Sequence, residues 1–340
     1  MELERDVSLA PLTTFELGGP ARALCTVTTE DELRAAIALG IPMFVLGGGS
    51  NLVVADRGFD GLVVRIAMRG ITMRPGDEVE AAAGEPWDDF VAAIVARGLT
   101  GVECLSGIPG HVGATPIQNV GAYGQEVAQT IVRVRSIDLQ TGEVRERTGD
   151  ECGFRYRHSL FKSWNEIVTR VTFRFSSGAP ELRYPELQRA MSGTPTLPEV
   201  RDTVIKLRRG KSMVIDPNDP NRRSAGSFFT NPIVPLEKAD ALTATFPEMP
   251  RFPGEDDAVK LSAGWLIERA GMAKGTRRGN VGISSKHALA LVHHGGGTSL
   301  ELLALAREVV AAVHTRFGVT LRPEPILLGF TTDETRGVLP

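Results

Sequence analysis

The chain's first candidate for chemistry is a glycine-rich run, Gly47-Gly48-Gly49-Ser50-Asn51, which follows the apolar stretch Met43–Leu46. Glycine allows a backbone to approach a phosphate closely and to offer consecutive N–H donors, as other phosphate-binding loops do. The spacing fits neither GxGxxG with a following helix nor GxxxxGK[ST], so the run supports neither a Rossmann site nor a P-loop. By itself it predicts only a glycine-rich turn.

A second glycine cluster covers residues 107–124, GIPGHVGATPIQNVGAYG, with five glycines and two prolines and no helical or strand period. Irregular loops of this length in compact domains are usually functional. The backbone donors, amide side chains and single aromatic ring of this loop suit a diphosphate cofactor with a flat ring better than a metal or a nucleophile. His111 could act as a base, but a lone histidine in such a loop is expected to hydrogen-bond locally.

Other polar groups are scattered along the chain in residues 156–159, in residues 225–232 and at Glu324. Ser227 stands between a glycine and two phenylalanines, which predicts a hydroxyl at the rim of an apolar pocket, and two prolines make the Glu324 carboxylate locally rigid. No GxSxG sequence occurs, which disfavours a Ser-His-Asp hydrolase. Considered singly, such groups are more often structural ion pairs and turn caps than catalytic groups.

The composition disfavours nucleic acids, membranes and metal ions as binding partners of this chain. The 38 Lys and Arg residues against 41 Asp and Glu give a net charge of -3, and no basic run is long enough to neutralise nucleic-acid phosphates. The opening residues are acidic, and no stretch reaches the roughly 18 to 20 apolar residues of a membrane span, so we expect a cytoplasmic protein without a membrane partner. Three separated cysteines and the pair His293-His294 lack metal-ligand spacing, so no metal site is expected.

Short-range patterns predict the elements that must position these groups. Thr29 and Thr298 each begin the capping-box pattern of a helix start, and Thr196 begins a third helix. Periodicity predicts helices over residues 33–39, 86–96, 261–270 and 299 to about 317, and one through Val200, Val204 and Leu207. Strands are predicted over residues 23–28, 43–46, 62–66, 79–83, 144–148, 288–292 and 326–330.

The order of these patterns predicts a mixed α+β protein, and the length gives a prior of about two to three domains. We expect a first domain over residues 1–66, to which residues 321–340 return. A second is expected over residues 67–200 and a third over residues 205–320.

In order along the chain, the motifs resemble the bacterial UDP-N-acetylenolpyruvoylglucosamine reductase family, in its longer-chain (type I) subgroup. The segments that carry the resemblance are Thr14-Phe15 with Gly18-Gly19, LGGGSN from Leu46, GIPGHVGATPIQNVGAYGQEV from Gly107, FRYRHSLFK from Phe154, AGSFFTNP from Ala225, SAGWLIE from Ser262 and Pro323-Glu324. Seven motifs in one order, spread over nearly the whole chain, are far more specific than any one of them.

The resemblance implies an α+β fold of the vanillyl-alcohol-oxidase/p-cresol-methylhydroxylase type. Two FAD-binding subdomains, the first and second domains above, would hold FAD without a covalent bond, and the third would bind the substrate. It also implies that NADPH reduces the flavin and that the flavin then reduces UDP-N-acetylglucosamine enolpyruvate to UDP-N-acetylmuramate for peptidoglycan. We expect such an enzyme to act as a monomer.

The resemblance also implies roles for individual residues. Arg157 would clamp the substrate carboxylate and stabilise the enolate, Glu324 would assist it, and Ser227 would deliver the proton that completes reduction. The cofactor would be held by Gly47, Gly48, Gly49, Ser50, Asn51, Pro109, Gly110, Gly113, Ala114, Gly121, Ala122 and Tyr123.

Four further residues are implied in substrate binding. Tyr184 and Asn231 match positions that touch the uridine diphosphate group. Lys211 would bind the diphosphate or help Ser227, and His287 would contact the substrate.

Two other functions from the same residues stay open at this point. An FAD-dependent alcohol or sugar oxidase would use the same fold with a different pocket, although the loops show no clear residue for tethering the flavin beyond His111. A non-catalytic nucleotide-sugar binding protein would explain the glycine loops, but it has no need of Arg157, Ser227 and Glu324 together. A structural regulator without a ligand would leave the glycine loops unexplained.

Overall fold

The computed structural model describes residues 1–254 and 257–339 of the chain. They divide into two compact units. The first consists of Met1–Val7, Ala21–Gly49 and Asp60–Ile215, and the second of Ser8–Pro20, Ser50–Phe59 and the chain from Asp216 onward. The chain therefore passes from one unit to the other inside the first glycine run, between Gly49 and Ser50.

Several helices begin directly after a side chain that caps the first backbone N–H groups. The hydroxyls of Thr29, Thr196 and Thr298 accept from the backbone N–H three residues later, which confirms the predicted helix starts. The helices are α1 (Glu30–Ile37), α2 (Trp87–Val95), α3 (Pro185–Ala190), α4 (Leu197–Gly210), α5 (Leu236–Thr245), α6 (Ala263–Arg269), α7 (Ser299–Phe317) and α8 (Thr332–Thr335).

The strands follow the apolar alternation of the sequence. Two predicted strands, over residues 43–46 and 144–148, have the predicted bounds. The strands are β1 (Glu4–Ser8), β2 (Pro20–Val27), β3 (Met43–Leu46), β4 (Leu52–Val54), β5 (Phe59–Ile66), β6 (Ile71–Arg74), β7 (Glu78–Ala82), β8 (Leu99–Thr100), β9 (Gly121–Ala122), β10 (Gln125–Glu126), β11 (Ile131–Asp138), β12 (Val144–Thr148), β13 (Glu166–Arg174), β14 (Ser176–Ser177), β15 (Ile233–Pro235), β16 (Arg251–Pro253), β17 (Ala258–Leu261), β18 (Arg277–Arg278), β19 (Val281–Ile283), β20 (Leu291–His293) and β21 (Ile326–Leu328).

The first unit is built on two sheets. One has the strand order β1-β2-β5-β3, with β3 parallel to β5, and the other is antiparallel with the order β12-β11-β13-β7-β6. Their shared core contains the fully buried rings of Trp87, Phe90 and Phe173, whose centroids lie 4.9–6.0 Å apart. Two of these rings belong to α2, so the core fixes the position of this helix, and the helix in turn anchors the second glycine loop.

The second unit combines two small antiparallel sheets with the long helix α7, whose buried face supplies much of its core. The C-terminal strand β21 pairs in parallel with β4, so that Ile326 lies opposite Leu52 and Leu328 opposite Val54. The segment that precedes β21 and carries Glu324 is thereby held beside the residues that follow the first glycine run.

Several predicted elements differ in their bounds, and two of them begin at least two residues later than predicted. The helix predicted over residues 261–270 begins only at Ala263, because Leu261 ends β17 and the Ser262 hydroxyl caps the helix by accepting from the Trp265 N–H. The strand predicted over residues 288–292 begins only at Leu291, because a turn in which the Ala290 N–H donates to the His287 carbonyl occupies its first residues.

A half-buried ion pair fastens α1 to the five-stranded sheet. The Glu30 carboxylate accepts from Arg135 Nε and Nη2 at 2.8 and 2.9 Å and from the Thr169 hydroxyl at 2.8 Å. These bonds, chiefly those from Arg135, lower the Glu30 pKa from its ordinary 4.5 to about 2. A carboxyl whose folded pKa is lowered stabilises the fold above its unfolded pKa, and this stabilisation is lost as the pH falls toward the folded pKa.

We expect the Glu30→Gln variant to have a free energy of unfolding about 2 to 3 kcal/mol below that of the wild type at pH 7. Glutamine imitates the protonated carboxyl, so the difference should shrink to about half at pH 3 and vanish only below pH 2, where Glu30 is protonated in the folded state as well. Urea unfolding at pH 7 and pH 3 measures it. A difference that stays constant with pH would show that the variant acts through packing and not through the charge of Glu30.

Candidate active site

The first glycine run begins directly at the end of β3. A Cβ placed on Gly48 would lie 2.8 Å from the Cα of Gly110 in the second glycine loop, and Gly49 has a left-handed backbone with φ 64°. Within the described residues, the backbone N–H groups of Gly48 and Gly49 donate no hydrogen bond to protein. The two loops therefore meet backbone to backbone, with N–H donors available for an anion.

The second glycine loop is anchored at its start by α2 and by the end of β7. The Gly107 N–H donates to Asp88 Oδ1 at 2.5 Å, and the Gly113 N–H donates to the Ala83 carbonyl at 2.9 Å. A Cβ on Gly113 would lie 2.4 Å from the Cβ of Ala83, so only glycine allows this contact. The Asp88 carboxylate also binds Arg201 of α4 through both oxygens at 2.6 and 2.8 Å.

Two buried amide side chains hold the second half of the loop. Asn119, with a left-handed φ of 47°, donates to Glu126 Oε2 at 2.7 Å and accepts from the Ala128 N–H at 3.1 Å. Gln125 donates to Glu103 Oε1 at 3.0 Å and also accepts from the Cys104 N–H at 2.8 Å. The loop is thus irregular in path but fixed by hydrogen bonds, as its glycine and proline content predicted.

The structure corrects the expectation that His111 hydrogen-bonds locally. Its Nδ1 is buried and has no hydrogen-bond partner among the described residues, and it lies 4.0 Å from the position of a Cβ on Gly47. Burial, together with the positive charges of Arg69 and Arg65, lowers the pKa of His111, so that the ring is neutral at pH 7. A neutral ring with an unused nitrogen faces the meeting point of the two glycine loops.

Arg157 lies against the second half of this loop. The backbone between Arg155 and His158 forms a tight turn with two mutual hydrogen bonds of 3.0 and 3.1 Å, and Arg157 within it has a left-handed φ of 53°. Its Nη2 donates to the Gly121 carbonyl at 2.8 Å. Strained backbone at a non-glycine residue is common at functional sites, and here it places a guanidinium beside the predicted cofactor loop.

Tyr184 and Lys211 share a cluster with Tyr123 of the loop. The rings of Tyr123 and Tyr184 meet edge to face at 5.5 Å, and Lys211 Nζ lies 5.6 Å from the Tyr123 ring centroid and 2.5 Å from Glu186 Oε2. Burial raises the pKa of Tyr123 to about 12, so this phenol is neutral at pH 7. Two predicted substrate residues and one predicted cofactor residue are therefore brought together in the first unit.

Sequence reasoning missed Arg208, in the last turn of α4. Its Nη2 donates to the Met213 carbonyl at 2.7 Å, while its Nε is buried without a hydrogen-bond partner among the described residues. A Cβ on Gly107 would lie 3.5 Å from this Nε. Burial lowers the Arg208 pKa to about 10, which leaves the guanidinium charged at pH 7. The basic run Arg208-Arg209-Gly210-Lys211 was visible in the sequence, but which arginine turns inward was not.

In the second unit, Ser227 and Glu324 lie on neighbouring extended segments. Gly226, with φ 72°, turns the chain just before Ser227. The next residue, Phe228, donates its N–H to the Leu289 carbonyl at 2.7 Å and accepts from the Glu324 N–H at 2.8 Å. The structure thus brings together two of the three predicted catalytic residues.

The remaining predicted residues of this unit adjoin the same segments. Asn51 Nδ2 donates to the Glu324 carbonyl at 3.3 Å, and Asn231 Oδ1 accepts from the Ala263 N–H at the start of α6 at 2.9 Å. His287 Nδ1 accepts from the Leu289 N–H at 3.2 Å. The predicted site residues thus form two sets, one in each unit, with Ser50 and Asn51 belonging to the second.

Within residues 1–254 and 257–339, no group of three or more His, Cys, Asp and Glu side chains could hold a metal ion. No helix in the same described ranges is both long and apolar enough to cross a membrane.

Comparison with known proteins decides the family. Residues 217–328 match the family model described as UDP-N-acetylenolpyruvoylglucosamine reductase, C-terminal domain, and residues 21–148 match that of an FAD binding domain. The UDP-N-acetylenolpyruvoylglucosamine reductase from Streptomyces coelicolor is 49% identical to this chain, and the alignment covers 95% of this chain and 90% of the relative. The reductase from Thermobifida fusca is 48% identical, and the alignment covers 96% of this chain and 98% of the relative. The chain belongs to the UDP-N-acetylenolpyruvoylglucosamine reductase family.

The fold agrees with this assignment. The crystal structure of the reductase from Thermus caldophilus, 29% identical, matches with a TM-score of 0.69 over 96% of this chain and 99% of that one. The predicted α+β fold of the vanillyl-alcohol-oxidase type is confirmed, as is the resemblance to the reductase family. The chain is a flavoprotein oxidoreductase of peptidoglycan precursor synthesis with FAD as its cofactor.

The residues of the first unit fit this cofactor. FAD carries a diphosphate, which calls for N–H donors at close approach, and the N–H groups of Gly48 and Gly49 are available where a side chain would collide with Gly110. Two buried nitrogens, His111 Nδ1 and Arg208 Nε, lack hydrogen-bond partners among the described residues at the loops that make this cradle. Buried polar atoms of this kind are usually satisfied in the functional state, here by a polar ligand.

Proposed function

We propose that this chain reduces UDP-N-acetylglucosamine enolpyruvate to UDP-N-acetylmuramate and that NADPH is its reductant. The observation that carries the proposal is the 49% identity to the Streptomyces coelicolor reductase over 95% of this chain. The glycine cradle and the three polar residues Arg157, Ser227 and Glu324 supply what such a reaction needs. We propose that the enzyme acts as a monomer.

In this proposal the two glycine loops hold the cofactor. Bound FAD would supply the hydride transfer, first from NADPH to the flavin and then from the flavin to the terminal vinyl carbon of the substrate. We assign cofactor binding to residues 1–66 with 321–340 and to residues 67–200, and substrate binding to residues 205–320. The residues that contact FAD are Gly47, Gly48, Gly49, Ser50, Asn51, Pro109, Gly110, Gly113, Ala114, Gly121, Ala122 and Tyr123.

Arg157 and Glu324 stabilise the negative charge that develops on the substrate. Hydride addition to the vinyl carbon places charge on the neighbouring carbon and its carboxylate. The forked guanidinium of Arg157 can donate two hydrogen bonds to that carboxylate, and its backbone turn and its bond to the Gly121 carbonyl fix its position beforehand. Glu324, in its protonated form, donates to the same developing charge.

Ser227 delivers the proton that completes the reduction. A serine hydroxyl is a weak acid, but the developing carbanion is a strong base, so a hydroxyl at the correct position is sufficient when neighbouring groups support it. Lys211 and Tyr184 bind the diphosphate of the substrate, with Asn231 and His287 as further substrate contacts. Lys211 and Tyr184 both contact the Tyr123 ring, and this shared position supports assigning them to the same group of the substrate.

The visible absorption spectrum of the purified holoenzyme tests this function under anaerobic conditions. We expect NADPH to bleach the flavin band and UDP-N-acetylglucosamine enolpyruvate to restore it. A flavin that is reoxidised only by oxygen would favour an alcohol or sugar oxidase. A protein that cannot be loaded with FAD would contradict both enzymes and leave a nucleotide-sugar binding protein.

A further inference from the structure

The predicted diphosphate ligand Lys211 is already paired with a carboxylate. Its Nζ lies 2.5 Å from Glu186 Oε2, and about a third of each side chain is exposed to solvent, 35% for Lys211 and 30% for Glu186. A lysine ammonium is a compact point charge that binds a phosphate through the same N–H donors. A nucleotide diphosphate that approaches Lys211 therefore meets the Glu186 carboxylate, which is already paired with the Lys211 ammonium.

Glu186 belongs to the same short helix as the predicted substrate residue Tyr184. Tyr184 is the residue before α3, accepting from the Gln188 N–H at 3.0 Å, and Glu186 lies in the first turn. Tyr184 in turn packs edge to face on Tyr123, and the Lys211 ammonium lies over the Tyr123 ring. The carboxylate, the lysine and both rings thus form one closed cluster.

We propose that Glu186 is the resting counter-ion of Lys211 and a determinant of nucleotide affinity, because an incoming diphosphate must displace its carboxylate from the ammonium. This inference rests on the proposed function, which makes Lys211 a diphosphate ligand. A carboxylate and a phosphate at one ammonium repel each other, so nucleotide binding replaces the Glu186 carboxylate with the diphosphate. The measured affinity therefore reflects the difference between the free energies of these two interactions with Lys211. The arrangement limits how tightly nucleotides bind and favours release of the product.

Titration of the FAD-loaded enzyme with UDP, followed by calorimetry, tests the inference. We expect Glu186→Gln to bind UDP roughly 2- to 5-fold more tightly than the wild type, since the competing charge is lost. Affinity for uridine, which has no phosphate, should not change. In a Lys211→Met background, Glu186→Gln should improve UDP binding by clearly less than it does in the wild type, because the ammonium for which the carboxylate competes is gone and only direct repulsion remains.

A matched control separates local competition from a change in overall charge. Glu181 lies in the same segment, is well exposed and pairs with Arg183, so Glu181→Gln removes the same charge without freeing Lys211. We expect it to leave the UDP affinity unchanged. Tighter binding in Glu181→Gln equal to that in Glu186→Gln, or an effect of Glu186→Gln that is as large without Lys211 as with it, would overturn the inference.

The same titrations distinguish a failure of this inference from a failure of the proposed function. If Lys211→Met binds UDP as well as the wild type, the assignment of Lys211 to the diphosphate is wrong, and the inference falls with it. If Lys211→Met weakens UDP binding about tenfold or more while Glu186→Gln leaves it unchanged or weakens it, only the competition by Glu186 is wrong.

Discussion

The Ser227→Ala variant should accept electrons from NADPH at the wild-type rate but pass them to the enolpyruvyl substrate about 10²- to 10⁴-fold more slowly. In the proposed mechanism the hydroxyl takes no part in flavin reduction, whereas the second half-reaction needs a proton on the substrate carbon. The Ser227 side chain projects from a segment whose backbone is fixed through Phe228 to Leu289 and Glu324, so its removal leaves the surrounding chain in place. Anaerobic stopped-flow absorption measures each half-reaction separately.

Binding measurements provide the control for Ser227→Ala. The variant should retain FAD and bind UDP as the wild type does, because Ser227 is not assigned to either group. Equal losses in both half-reactions would point to a defect in folding or binding and not in proton transfer. Reoxidation at the wild-type rate would show that a water delivers the proton, and the role proposed for Ser227 would then be withdrawn.

The second large effect is expected at the meeting point of the two glycine loops. In Gly48→Ala the new methyl would lie 2.8 Å from the Cα of Gly110. All of the nearest atoms are backbone atoms of Gly110, so no flexible side chain can move aside. The loops must separate, and overpacking of this kind costs about 1 to 3 kcal/mol. We expect FAD to bind roughly 10- to 100-fold more weakly, as measured by fluorescence titration of the apoprotein.

Gly178→Ala is the matched control for this variant. No atom lies within 4 Å of a Cβ at Gly178, and its backbone does not require a left-handed conformation, so FAD affinity should be unchanged. Both apoproteins should remain folded at the temperature of the titration, although Gly48→Ala should melt several degrees below Gly178→Ala because of the overpacking at Gly110. If Gly48→Ala binds FAD normally, the first glycine run is not part of the cofactor site.

The elements that the sequence predicted well are those specified by neighbours along the chain. The capping threonines at positions 29, 196 and 298 bond to their own helices, and β3 is a short apolar run ended by glycine. The composition of the second glycine loop also predicted a functional loop without regular structure, whereas the first run by itself predicted only a turn and received a role from the resemblance. Local patterns of this kind need no knowledge of the fold.

The supports of the site could not be predicted in this way. Asp88 holds Gly107 and Arg201, which are 19 and 113 residues distant, and Gln125 reaches back across 22 residues to Glu103. Such pairs are specified by the packing of distant segments. In the same way, the sequence shows that Arg208 and Arg209 are basic, but only the course of α4 against the loop decides that Arg208 Nε is buried. The ion pair of Lys211 with Glu186 has the same origin.

The pairing of β4 with β21 has a consequence for synthesis on the ribosome. All segments of the first unit have been translated once Ile215 is added, so this unit can fold early. The second unit also contains Ser8–Pro20 and Ser50–Phe59, and β4 within it gains its parallel neighbour only when Ile326–Leu328 has been made. Its N-terminal pieces must wait through more than half of translation with apolar side chains such as Phe15 and Val53 uncovered, which makes the nascent chain a natural client for chaperones.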